Sequence, residues 1–204
     1  MEQDQAARLR TLVRTTRQLA ALDTGPPQLT IASLQGMTPQ GEVERFVADL
    51  VAAVADQGVR LVADGSGGPT ADWVYTLVTA PQERVDLSSQ LRASVVVLLA
   101  EPTPSALLAT YALIKQMHTQ GAMPPIEAVF CGEQQISTRA CEGLQGTSQR
   151  FLGWVQLRGS AWNPARGKQS LGQLVNQLTS QLPLLAVGEN GAANSLAETG
   201  LEGV

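Results

Sequence analysis

The sequence predicts an α/β domain, a mostly parallel sheet flanked by helices, preceded by a separate amphipathic helix. Three observations carry this. Apolar, β-branched runs of strand length alternate along the chain with segments of helical spacing. One run, Val95–Ala100, is apolar without interruption, as a parallel strand covered on both faces must be. Gly and Pro breakers, such as Gly25-Pro26-Pro27 and Gly58, separate the segments.

In chain order, residues 3–22 predict the first helix, with Asp4 as N-cap and Ala6, Leu9, Leu12, Val13, Leu19 and Leu22 at roughly helical intervals. This helix either packs on its own sheet or stands off as an arm, since an isolated helix of that length is marginal in water and wants a partner surface. Leu29–Leu34 reads as a buried strand, Val43 to Gln57 as a helix closed by Gly58, and Val59–Asp64 as a second strand. Strand, helix, strand is a βαβ unit, which implies parallel pairing. Asp72–Val78 reads as a third strand behind the tight connection Gly65–Thr70. After Val95–Ala100, Pro104 and Ser105 begin a helix with Leu107, Leu108, Tyr111 and Ile114 toward the sheet. Ile126–Cys131 is another strand, Ser137 to Gln149 a helix, and Phe151–Pro164 the last strand and its exit. The final helix, Ser170 to Leu182, carries Leu171, Leu174, Val175, Leu178 and Leu182 on one side. The organisation is therefore a helix over residues 1–24, an α/β domain over 28–185, and a Gly-, Asn- and Ala-rich tail over 186–204 that reads as disordered.

The loop after the first strand, Gly36-Met37-Thr38-Pro39-Gln40-Gly41-Glu42-Val43, keeps the spacing of a phosphate-binding loop and loses its chemistry. That loop reads G-x-x-x-x-G-K-S/T, with the Lys neutralising phosphate and the hydroxyl binding Mg²⁺. Here Glu42 stands at the Lys position and Val43 at the hydroxyl position. A carboxylate there repels phosphate by roughly 1 to 4 kcal/mol at contact distance near a protein surface. Gly36, Met37, Gly41, Glu42 and Val43 thus mark a degenerate nucleotide loop, with no cofactor and no metal expected.

The chain has 204 residues, ordinary composition and net charge −4, which argues against a general nucleic-acid or anionic-membrane binder. No apolar run reaches the ~20 residues of a membrane span, and Glu2 and Asp4 do not suit a signal peptide, so the expected location is cytoplasmic, with recruitment to the cell pole or membrane left to a partner. Cys131 and Cys141 lack metal-site spacing, and His118 is the single histidine; the two thiols are expected to be a small buried residue and a helix residue.

Asp4-Gln5-Ala6-Ala7-Arg8-Leu9-Arg10 matches D-Q-A-x-x-L-R, and Glu101-Pro102-Thr103 followed by Tyr111-Ala112-Leu113-Ile114-Lys115 matches E-P-T with Y-A-L-I-K. These residues resemble the FlhG/FleN family, MinD-like ATPases with a deviant phosphate loop that set flagellar number and placement. The resemblance implies a shortened MinD-like P-loop fold. It also implies that the N-terminal helix docks on the signal-recognition-type GTPase FlhF, with Gln5 organising the partner's GTP site and Leu9 and Arg10 anchoring the helix. Asp4 and Ala6 complete that motif. Against the family pattern stand Met37, Glu42, Val43, Leu77 in place of a γ-phosphate-sensing acid, and the missing Asn near Cys131.

The reading that follows is a non-catalytic regulator of flagellar biosynthesis that binds, and can stimulate, an FlhF-like GTPase without an ATPase cycle of its own. Two alternatives stand beside it. One is a divergent ATPase using Asp64 on Mg²⁺ and Arg60 or Lys115 for the lost lysine. The other is a scaffold or antiactivator that binds a flagellar regulator through the domain face.

Overall fold

A computed structural model describes residues 26–34, 38–66, 71–80, 93–120, 123–153 and 155–182. The expected N-terminal helix with Asp4, Gln5, Ala6, Leu9 and Arg10, the tail, and Gly36 and Met37 lie outside the described residues. Six strands, β1 (Gln28–Leu34), β2 (Leu61–Ala63), β3 (Trp73–Ala80), β4 (Val95–Ala100), β5 (Ile126–Cys131) and β6 (Leu157–Trp162), form one sheet in the order β2-β3-β1-β4-β5-β6. Every pairing is parallel. The helices are α1 (Gln40–Ala55), α2 (Pro104–Thr119), α3 (Gln134–Leu152) and α4 (Gly172–Gln181), the last entered through a 3-10 turn over Gly167–Leu171. This is the parallel α/β arrangement that the sequence predicts, consistent with a shortened P-loop NTPase-like fold.

Two apolar layers hold it. On one face α1, the 3-10 turn and α4 cover Leu29, Ile31, Val95, Val97, Leu99, Val129, Cys131 and Trp162. On the other, α2 and α3 cover Ala32, Val96, Leu98, Ala100, Ile126, Ala128 and Phe130. All six residues of β4 are buried, which is why its sequence is apolar without alternation. Trp162 anchors the first layer: its ring meets Phe46 edge-on at 5.3 Å, and its indole N–H donates to Asp49 of α1 at 3.0 Å.

Several boundaries have visible causes. α1 ends in a Schellman motif: Gly58, at φ 76, donates to Ala55 O, and Val59 donates to Val54 O. Parallel strands usually need a long crossover, yet residues 64–72 suffice between β2 and β3 because β2 has only three residues to return along.

Other details correct the sequence reading. The face of α2 is Ala106, Thr110, Leu113, Ile114 and Met117; Leu107 and Tyr111 are half-buried, and Leu108 is 69% exposed. Thr110 can be buried because its hydroxyl donates to Ala106 O at 2.7 Å. Phe151 does not open a strand. α3 runs through Leu152 and stops at Gly153, φ 76, leaving Phe151 exposed with the Arg150 guanidinium over its ring.

Both edges of the sheet are short or covered. Ile126 N–H and Gly132 N–H donate to the carbonyls of Gln156 and Trp162, so the alternate carbonyls of β6 face away from the sheet. Two of these, on Leu157 and Gly159, accept side-chain amides from Gln145 of α3 and Gln173 of α4.

Candidate functional site

In a parallel sheet every strand ends at the same edge, so the segments leaving β1, β4, β5 and β6 must meet there. Strand order reverses direction between β1 and β4, and α1 and α2 leave toward opposite faces, which opens a crevice at their carboxyl ends. A cleft of about 280 Å³ lies there, lined by Glu42, Glu101, Pro102, Thr103, Cys131, Gly132 and Pro164.

Each wall is fixed locally. Thr38 is buried, and its hydroxyl donates to Leu99 O at 3.3 Å, tying the incoming loop to β4. Pro39 caps α1 without a side-chain bond, and Glu42 lies in the first turn. Gly41 and Val43 belong to the same turn, Gly41 exposed and Val43 buried in the core. Thr103 N-caps α2, its hydroxyl accepting from Ala106 N–H at 3.3 Å, with Pro104 as first helical residue. Gly132 has φ 148, and Pro102 lies 3.6 Å from where its Cβ would be, ordinary van der Waals contact. Arg45 donates to Pro164 O at 2.6 Å, which fixes the exit of β6 against α1.

The electrostatics of the cleft are acidic. Burial, reinforced by the Glu42 and Glu101 carboxylates, pushes the Cys131 thiol far above its ordinary range. Glu42 at the amino end of α1 supplies the negative charge that the helix dipole favours, worth about 0.3–1 kcal/mol. For an incoming phosphate the dipole offers a similar gain, but each carboxylate at contact distance opposes it by roughly 1–4 kcal/mol. Repulsion wins. The cleft also falls at or below the ~300 Å³ lower end of ordinary small-molecule sites. Among the described lining residues, the two carboxylates disfavour a triphosphate.

Of the residues singled out from sequence, the structure brings Glu42 to this cleft and joins it to Glu101, Cys131 and Gly132. By sequence, Glu101 marks only the fold and Cys131 only a buried position. The signal for both was their position just after or at the end of a parallel strand. Asp64, Arg60 and Lys115 are not brought together. Asp64 is exposed at the end of β2, Arg60 precedes the start of β2, and Lys115 is exposed in the second half of α2. None of them lines the cleft.

Among the described residues, no three His, Cys, Asp or Glu side chains converge to hold a metal ion. Nor is any helix among them long and apolar enough to cross a membrane. Comparison of the chain with protein-family models and with curated proteins gave no match.

Proposed function

We propose that the chain is a non-catalytic regulator of flagellar assembly. In this reading the segment Asp4-Gln5-Ala6-Ala7-Arg8-Leu9-Arg10 engages a signal-recognition-type GTPase similar to FlhF, and the α/β domain carries that segment without a nucleotide cycle of its own. The observation that supports it is the pair of carboxylates, Glu42 and Glu101, in the crevice where a P-loop fold takes phosphate. The motif at residues 4–10, with its resemblance to the FlhG family, supplies the partner. Binding through a short helix puts the partner contact in Leu9 and Arg10 and leaves the domain free of catalytic demands.

GTP turnover by the FlhF-type GTPase of the same organism tests this. Full-length protein raises turnover, and the Arg10→Glu variant, folded by circular dichroism, does not. Equal stimulation by both proteins removes Arg10 and its helix from the mechanism.

A second reading is favoured by exposed Leu108 on α2 and Ile136 and Phe151 on α3. There the domain face binds a flagellar regulator as a scaffold or antiactivator, and pull-down of that regulator survives removal of residues 1–24.

A further inference from the structure

Glu127 is the second residue of β5, and it is 0% exposed in a strand otherwise made of apolar residues and Cys131. Its strand neighbours are Val97 on β4 and Arg158 on β6. On the helical side, Gln181, the last residue of α4, donates its side-chain N–H to Glu127 Oε1 at 2.5 Å. The other carboxyl oxygen, Oε2, is buried without a partner among the described residues. So are Gln181 Oε1 and, one turn earlier on α4, Gln177 Oε1. The orphaned atoms of the Glu127–Gln181 pair are both acceptors, and the pair lacks one thing, a donor. An ionised carboxylate adds to that deficit, whereas a proton on Oε2 supplies the missing donor.

We infer that Glu127 and Gln181 form a proton-operated latch: α4 is fastened to the sheet while the Glu127 carboxyl is protonated and loosens at its carboxyl end when the group ionises. Nothing in the proposed partner chemistry requires this, and it does not depend on that reading. The charged group set beside Glu127 is Arg158, while β4 offers Val97 and α4 offers uncharged Gln181. Burial pushes the carboxyl up to about 7, against the opposing pulls of the Gln181 hydrogen bond and Arg158. The latch therefore works near neutrality. A carboxyl raised in this way contributes its stabilisation fully below the unfolded value near 4.5 and loses it as pH rises through about 7. Gln181 ends α4, so the element that loosens is the one from which residues 183–204 continue.

Amide hydrogen exchange on the full chain, corrected for the intrinsic rate at each pH, reads the latch directly. Between pH 6 and pH 8.5, protection of residues 177–182 falls about tenfold. In Glu127→Gln, whose amide keeps the acceptor for Gln181 and puts a permanent donor at the other position, protection is the same at both pH values. Arg158→Met, which removes the charge that favours ionisation, moves the midpoint of the loss to higher pH. An equal fall in Glu127→Gln, or constant protection in the parent protein, overturns the inference, as does a midpoint in Arg158→Met that stays in place or moves down.

Discussion

The Cβ that Gly159 lacks would stand 2.5 Å from the Cβ of Cys141 and 2.6 Å from its sulfur. Gly159 lies in β6 and Cys141 in α3, so the helix approaches the strand backbone at a position where no side chain intervenes. Cys141 uses the approach to donate weakly to Ser160 O at 3.6 Å. Gly159→Ala forces that contact apart and destabilises the domain by about 1–3 kcal/mol, the usual range for overpacking. Urea denaturation measures it. An unchanged midpoint means α3 slides along the sheet at no cost, contrary to a close-packed interior.

The two cysteines report on the tightness of the two layers. Burial, with the nearby carboxylates, holds the Cys131 thiol far above its ordinary range, and burial pushes Cys141 up to about 11. Only the thiolate is nucleophilic, so at pH 8 neither group reacts with an alkylating reagent in the native protein, and both react in urea. Mass spectrometry counts the adducts. Modification of Cys131 in the native state would mean that the cleft opens to its floor.

The acidic cleft makes a quantitative statement about anions. Calorimetric titration of the parent protein with ATP and Mg²⁺ gives binding weaker than ~1 mM. Glu42→Lys exchanges a repulsion for an attraction and tightens inorganic phosphate at least about tenfold relative to the parent. A variant no better than the parent would show that Glu42 does not govern the site.

How much of this was legible in the sequence depends on the physics at each position. β4, most of β5 and the buried row Leu171, Leu174, Val175, Leu178 and Leu182 were legible, because full burial leaves a largely apolar run or a helical stripe. Gly58 announced the end of α1 because a left-handed cap favours glycine. The face of α2 was not legible. Adjacent Leu107 and Leu108 fit two faces equally, and the true face includes Thr110, whose polarity is cancelled within the helix by Ala106 O. Phe151 misled for a similar reason, since its apolar ring lies outside the core against Arg150. Glu127 passed unnoticed inside an apolar strand, because the glutamine that meets it comes from far along the chain. The cleft was half legible. The residue types at Glu42 and Val43 speak against phosphate, but the meeting of Glu42 with Glu101 and Cys131 follows only from strand order.

The amides of Gln145 and Gln173 on the outward carbonyls of β6 have a further consequence for how this protein meets others. An open strand edge is a template onto which any extended chain can add, and that is a common beginning of fibres. Here one margin is already occupied by the molecule's own side chains, and the other, β2, is three residues long. Among the described residues, neither margin presents a long row of open carbonyls to a seventh strand. Among the described residues, the surfaces left for association are the crevice and the outer faces of the helices, where recognition depends on particular side chains and can be changed one residue at a time.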